Sequence, residues 1–190
     1  GEHTNNENTA RDIAREYKAI LSSIYDQNLN CNISIKPSHI GMDVSTECIM
    51  ENMTRLIETA RRNSQFIRID MEDSSLTDAT IQLYTKCKDQ YNNVGTVLQA
   101  YLFRSENELC ELINKSRFNV RICKGIYRES SDIAIQSRHD INNNFLKLLR
   151  FSFENNIYVC IATHDQFLIK ESYKIIEDLK IPNDRFEFQV

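Results

Sequence analysis

Residues 120–127 read "VRICKGIY". Val120 and Ile122 begin a short apolar alternation of the kind that forms a buried strand. Arg121 and Lys124 interrupt it with charge, and Gly125 stands where the strand is ending. Two cations and a glycine at one strand terminus point to an anionic or electron-rich ligand approached closely by backbone. Taken alone, the segment is read more readily as an edge strand whose cations face solvent. The rest of the chain has to decide.

Outward from this stretch, one alternation repeats. Upstream, the periodicity predicts a helix over 8–25, with Ala10, Ile13, Ala14, Tyr17, Ile20 and Leu21 on one stripe, followed by the strand "NISIKPS", halted at Pro37. A helix is expected from about Ser45 to Arg62, with Ile49, Met53, Leu56, Ile57 and Ala60 inward. "QFIRIDMED" reads as a strand, and Ser74 or Ser75 as the cap of a helix to about Tyr91. "VGTVLQAYL" is the next strand, and the helix from about Ser105 to Asn114 opens with acidic residues suited to its N-terminus. Downstream of "FNVRICKG", a long helix is expected from about Asp132 to Asn155. "IYVCIATHD", a helix from Gln166 to Leu179 and "RFEFQV" complete the pattern.

Strands alternating with helices at this spacing argue for a parallel sheet with helices outside. Nothing resembles a G-x-G-x-x-G or P-loop fingerprint. A (β/α)8 barrel of the TIM type fits better than an open sheet because of where the polar residues fall. The strands end in Lys36; in Asp70 and Glu72; in Gln99; in Arg121 and Lys124; in Thr163, His164 and Asp165; and in Glu187 and Gln189. A barrel converges those ends on one face, where active sites of this architecture lie. Each also has a plain alternative. Asp165 reads as the N-cap of the following helix, His164 as a hydrogen-bonded core histidine, and Glu72 with Asp73 as a solvated acidic turn. A partly buried Lys36 needs a counter-anion.

Composition narrows the function classes. The 190 residues suffice for one domain with a sizeable core; 41% are hydrophobic and 26% charged, as in a soluble globular protein. A net charge of −4 with scattered Lys and Arg gives no footprint for nucleic acid. No run approaches a membrane span or a signal peptide's apolar region. The six cysteines sit singly, so free, mostly buried thiols in a reducing compartment are expected, and the sequons at Asn32, Asn52 and Asn114 read as chance. His3, His39 and His139 show no metal-site spacing, so no metal is expected. With no linker and only two prolines, a single domain over 1–190 is expected. Gly1 at one end and a strand broken at Val190 look like the ends of a cut piece.

"ISIKPSHIG", "IRIDMED", "VLQAYLFRS", "VRICKGIY", "IATHD" and "FEFQ" together resemble, in order and spacing, the flavin-dependent proline dehydrogenases. The resemblance runs from "GEH" to the last strand. It implies a (β/α)8 barrel that oxidises L-proline to Δ1-pyrroline-5-carboxylate by hydride transfer to FAD N5, the first step of proline catabolism, with electrons passed to a quinone. It further implies that Lys36 pairs with the proline carboxylate, with Tyr127 and Glu2 also near the substrate. Asp70 looks like the active-site aspartate and Met71 its neighbour beside the cofactor. Gln99 is similar to the glutamine that hydrogen-bonds the flavin. Arg121 resembles the arginine against N5, Lys124, Gly125 and Ile126 the cofactor segment, and Thr163 and His164 the pair on the phosphate and adenosine side.

Two residues depart from the family pattern. Pro37 stands where leucine is frequent. Ile126 replaces a usual alanine and is expected to crowd the cofactor at roughly 1–3 kcal/mol. Relative to the family barrel, about six βα units are expected here, without the first strand and the eighth unit with its arginine pair, so that this stretch alone is expected to be impaired. The resemblance allows peripheral membrane association. It leaves open a location in the bacterial cytoplasm, on the inner face of a bacterial membrane, or in a mitochondrion. Two other readings stand beside it: a barrel enzyme using Lys36 or Lys124 as a Schiff-base amine, and a non-catalytic truncated barrel remnant.

Overall fold

The computed structural model describes residues 3–115 and 118–190. Glu2 therefore lies outside the described residues. The elements run α1 (Glu7–Asp26), β1 (Ile33–Ile35), α2 (Thr46–Arg62), β2 (Ile67–Ile69), α3 (Thr77–Lys88) and β3 (Val94–Gln99). They continue with α4 (Ser105–Lys115), β4 (Asn119–Cys123), α5 (Arg138–Glu154), β5 (Tyr158–Ala162), α6 (Gln166–Asp178) and β6 (Phe186–Gln189). This is an α/β fold in which the strands pair in chain order, and every pairing with a defined register is parallel. Two compact units divide within β3, one up to Thr96 and one from Val97.

In the first unit, Ile33, Ser34 and Ile35 pair with Ile67, Arg68 and Ile69, and Ile67 and Arg68 with Val94 and Gly95. The helix stripes come from the sequence period. In α2 Ile49, Met53, Leu56, Ile57 and Ala60 are all buried as expected, and Ser45 caps the helix by accepting from Cys48 N. The α1 stripe is shifted: Ala10, Ala14, Leu21 and Ile24 are buried, whereas Ile20 is 47% exposed. The cap before α3 is Asp73, not a serine; its carboxylate accepts from Ser75 N and opens a 3-10 turn before Thr77.

In the second unit the strand alternation is regular. Val120, Val159 and Phe186 form one row across β4, β5 and β6, and Ile122, Ile161 and Phe188 the next. This face meets the helices: Phe186 lies edge-on to Phe153 of α5 at 6.4 Å, and Phe188 lies 4.9 Å from Tyr173 of α6. The opposite face carries Arg121, Cys160 and Glu187 in one row, then Cys123, Ala162 and Gln189. Helix α5 starts at Arg138 rather than near Asp132. Residues preceding it hydrogen-bond to the chain after β3 instead, with Ile135 N donating to Tyr101 O at 2.7 Å and a bridge from Leu102 to Ala134. Ser137 then caps the helix through Asp140 N.

The cysteines are free: Cys48, Cys87 and Cys160 are buried, but Cys31 is exposed. Asn52 is buried and donates to Ile40 O, which removes that sequon from reach.

Candidate functional site

The strand ends of the first unit hold two polar groups. Lys36 follows β1 and Asp70 follows β2, and they take up the next register position after Ile35 and Ile69. Lys36 Nζ lies 3.8 Å from Asp70 Oδ2 with 38% of its side chain exposed, so the counter-anion expected for this lysine is Asp70. Beside them Glu72 is buried. Ser38 donates to it twice, from its backbone N at 2.9 Å and from Oγ at 2.5 Å. The solvated-turn reading is therefore wrong for Glu72, because the tight turn after Pro37 aims Ser38 at its carboxylate. His3 stands against the same turn, Nδ1 2.7 Å from Asp43 and Nε2 3.9 Å from Glu72. Met71 is buried.

Arg68 is the residue that sequence reasoning passed over. It is fully buried, donates from Nη1 to Thr96 O at 3.0 Å and stacks 5.3 Å over the Phe66 ring. Gly95, its neighbour in β3, has no side chain to crowd it. A charged residue in a strand buried at every position was the available signal.

In the second unit, Arg121 is half-buried and its Nε donates to Gln189 Oε1 at 2.5 Å. Gln189 Nε2 donates to Glu187 Oε1 at 2.7 Å, and the Cys160 thiol lies 2.9 Å from the same oxygen. Gln99 is buried, and its Oε1 has no hydrogen-bond partner among the described residues. Tyr127 is half-buried.

Lys124 and Asp165 form a close ion pair at this unit's strand ends. Nζ is 2.6 Å from Asp165 Oδ2, and Arg138 Nη2 reaches the same oxygen at 2.9 Å. Asp165 also caps α6 through Phe167 N, so the capping role read from the sequence holds and an ionic one is added to it. The Lys124 hydrogen bond, then that of Arg138, holds the Asp165 carboxyl well below the usual carboxylate range. Thr163 Oγ1 accepts from Asp165 N, while His164 is exposed rather than a core histidine.

The depressed Asp165 sets an acid dependence. Its contribution to stability is complete above the unfolded value near ~4 and is lost as pH falls through the lower folded value. Asp165→Asn keeps a capping side chain but loses the charge, so it is expected to cost about 2 kcal/mol at neutral pH, reduced by the exposure of Arg138. Urea titrations should find that difference narrowing below about pH 4. A difference that stays constant with pH would remove the ionic role.

Gly125 has φ +104°, and a Cβ there would come within 2.1 Å of the Tyr101 ring. An intrachain contact thus already requires glycine at the position where the sequence suggested ligand approach. Ile126 is 86% exposed and meets no crowding from the protein itself.

The fold and strand-end chemistry mark an α/β protein with charged and amide side chains delivered at successive strand termini. All 190 residues match the sequence model of the family described as Proline dehydrogenase. The chain belongs to the proline dehydrogenase family. It is 35% identical over its whole length to Proline dehydrogenase 2 of Bacillus subtilis (strain 168), covering 62% of that protein. It is 29% identical to the Proline dehydrogenase of Deinococcus radiodurans, again over all of this chain and 63% of that one. The chain thus spans about 62% of the length of the curated relatives it matches. Among solved structures it is similar to proline utilization A of Bdellovibrio bacteriovorus, with TM-score 0.88, 19% identity, and coverage of 99% of this chain and 24% of that one. Proline utilization A of Bradyrhizobium japonicum gives TM-score 0.84 at 15% identity, over 99% and 23% of the two chains.

Proposed function

We propose that these residues are part of an FAD-dependent proline dehydrogenase that oxidises L-proline to Δ1-pyrroline-5-carboxylate and passes the electrons to a quinone. The observation that carries this reading is the family match over the entire chain. The proposed architecture is a (β/α)8 barrel, supported by parallel pairing in chain order and by the likeness to proline utilization A. The proposed location is the cytoplasm or the inner face of a membrane, or a mitochondrion. No described helix is long and apolar enough to cross a bilayer.

The residues present fit a flavin. A buried amide oxygen left unpaired, as at Gln99, costs about 1–3 kcal/mol, which a ligand N–H offsets. Lys124 and Arg138 share one carboxylate, leaving surplus positive charge suited to a diphosphate. Thr163, His164, Met71, Gly125 and Ile126 complete the proposed cofactor contacts. When bound, FAD supplies the redox chemistry by accepting hydride at N5.

This chain's own side chains orient and polarise. Arg121 presents a permanent charge, held by Gln189, at the proposed N5 side. Lys36 exchanges Asp70 for the substrate carboxylate, and Tyr127 and Glu2 are the further residues proposed to contact the substrate. Asp70 keeps Lys36 near its working position between turnovers. The ring nitrogen of proline must give up its proton before hydride leaves, and solvent serves as that acceptor. Commitment of Lys124 Nζ to Asp165 counts against the Schiff-base alternative.

Anaerobic proline should bleach the FAD-loaded full-length enzyme that contains these residues; a full-length enzyme that binds FAD yet is not bleached would refute the reading. Lys36→Met is expected to weaken carboxylate-bearing proline analogues by about 1.5–3 kcal/mol while leaving flavin content unchanged. Equal analogue affinity in both proteins would return Lys36 to a purely structural ion pair.

A further inference from the structure

We infer that Gln189 is a positioning residue for Arg121, and that Glu187 fixes which way round the Gln189 amide lies. The inference rests on the reading of Arg121 given under the proposed function. Register brings the group together: Arg121, Cys160 and Glu187 occupy one row of the β4–β5–β6 face, and Gln189 the next row toward the strand ends. The Phe186 and Phe188 rings point to the helix side and alternate with these residues, so "FEFQ" aims both polar side chains to the arginine face.

The hydrogen bonds have one consistent direction. An arginine Nε–H only donates, so the Gln189 atom 2.5 Å from it must be the carbonyl oxygen. That leaves the Gln189 NH2 toward Glu187, whose carboxylate accepts at 2.7 Å. A flipped amide would set NH2 against Nε–H and oxygen against carboxylate, with both contacts repulsive. Glu187 is held in turn by the Cys160 thiol at 2.9 Å. An acceptor at Nε fixes the plane of the guanidinium, and with it the direction of its charge and remaining donors. Positioning of this kind affects a rate more than binding, because misalignment is felt where charge develops.

The arrangement makes an exchange of roles testable. In Glu187→Gln with Gln189→Glu, the new carboxylate still accepts from Arg121 Nε and the new amide donates to it, with net charge unchanged. In the apoprotein, the Arg121 Nε–H resonance, assigned by its disappearance in Arg121→Lys, should exchange slowly with solvent. Gln189→Leu should accelerate that exchange by at least about tenfold, and the exchanged pair should restore it to within about threefold. In the FAD-loaded protein, Gln189→Leu should slow flavin reduction by about tenfold with proline Kd within about threefold, and the exchanged pair should recover the rate. Wild-type exchange in Gln189→Leu, or an exchanged pair no better than Gln189→Leu, would overturn the inference. Arg121→Met separates the two readings. If it reduces flavin at the wild-type rate, the role of Arg121 itself fails. If it is slow while Gln189→Leu is not, only the positioning fails.

Discussion

Arg121→Met is expected to lower the rate of flavin reduction by proline by about 10²–10³-fold, the loss seen when one preorganised electrostatic group is removed from a developing charge. Arg121 satisfies the conditions for an effect of this size. It carries a planar guanidinium, lies half-buried on β4, and is tied through Nε to Gln189. A fixed cation of this kind does not have to reorganise when negative charge arrives. Proline itself carries no such charge at the reacting carbon before transfer, so its Kd should move by less than about threefold. Methionine keeps similar bulk, so the strand rows should survive the substitution. The measurement is anaerobic rapid mixing over a range of proline concentrations, which separates the limiting rate from Kd. An unchanged limiting rate with a weakened Kd would transfer Arg121 to the substrate carboxylate.

The strands and helices were legible because their periods differ. "RFEFQV" alternates every residue and became β6, while the apolar positions from Ile49 to Ala60 recur at helical spacing and all face the core of α2. Boundaries failed where a tertiary hydrogen bond outweighed local preference. Residues 132–137 carry helix-compatible side chains, yet Ile133 bonds to Phe103 and Ile135 to Tyr101, so α5 begins only at its Ser137 cap. The site was legible as residue types at strand ends, not as partnerships. Nothing in "IATHD" says that Asp165 will collect both Lys124 and Arg138, because those contacts span 41 and 27 positions of chain. Glu72 was misjudged for the same reason: its two bonds come from Ser38, 34 residues earlier.

Gly125→Ala is expected to destabilise the protein by roughly 2–5 kcal/mol, from two separable sources. The first is backbone. At φ +104° an L side chain is strained wherever it sits, at about 1–2 kcal/mol. The second is packing. The added methyl would lie 2.1 Å from Tyr101 Cδ1 and 2.3 Å from Cε1, and Tyr101 is itself buried, so the ring has little room to yield. Backbone bonds pin both partners: Tyr101 N donates to Lys124 O and Ala100 N to Cys123 O, each at 2.8 Å. Tyr101→Ala removes the ring and should cost several kcal/mol alone as a large-to-small core change. In that background the further cost of Gly125→Ala should shrink to the backbone part, about 1–2 kcal/mol. Urea unfolding of the four proteins in the cycle gives the comparison. Had glycine been needed only so that a cofactor can approach the backbone, Gly125→Ala would keep wild-type stability without ligand and lose only flavin. An equal cost with and without the Tyr101 ring would likewise rule out the contact as the reason for glycine. The expected result instead makes Gly125 the joint that seats the Lys124 segment on Tyr101, so loosening it displaces the cation that Asp165 holds.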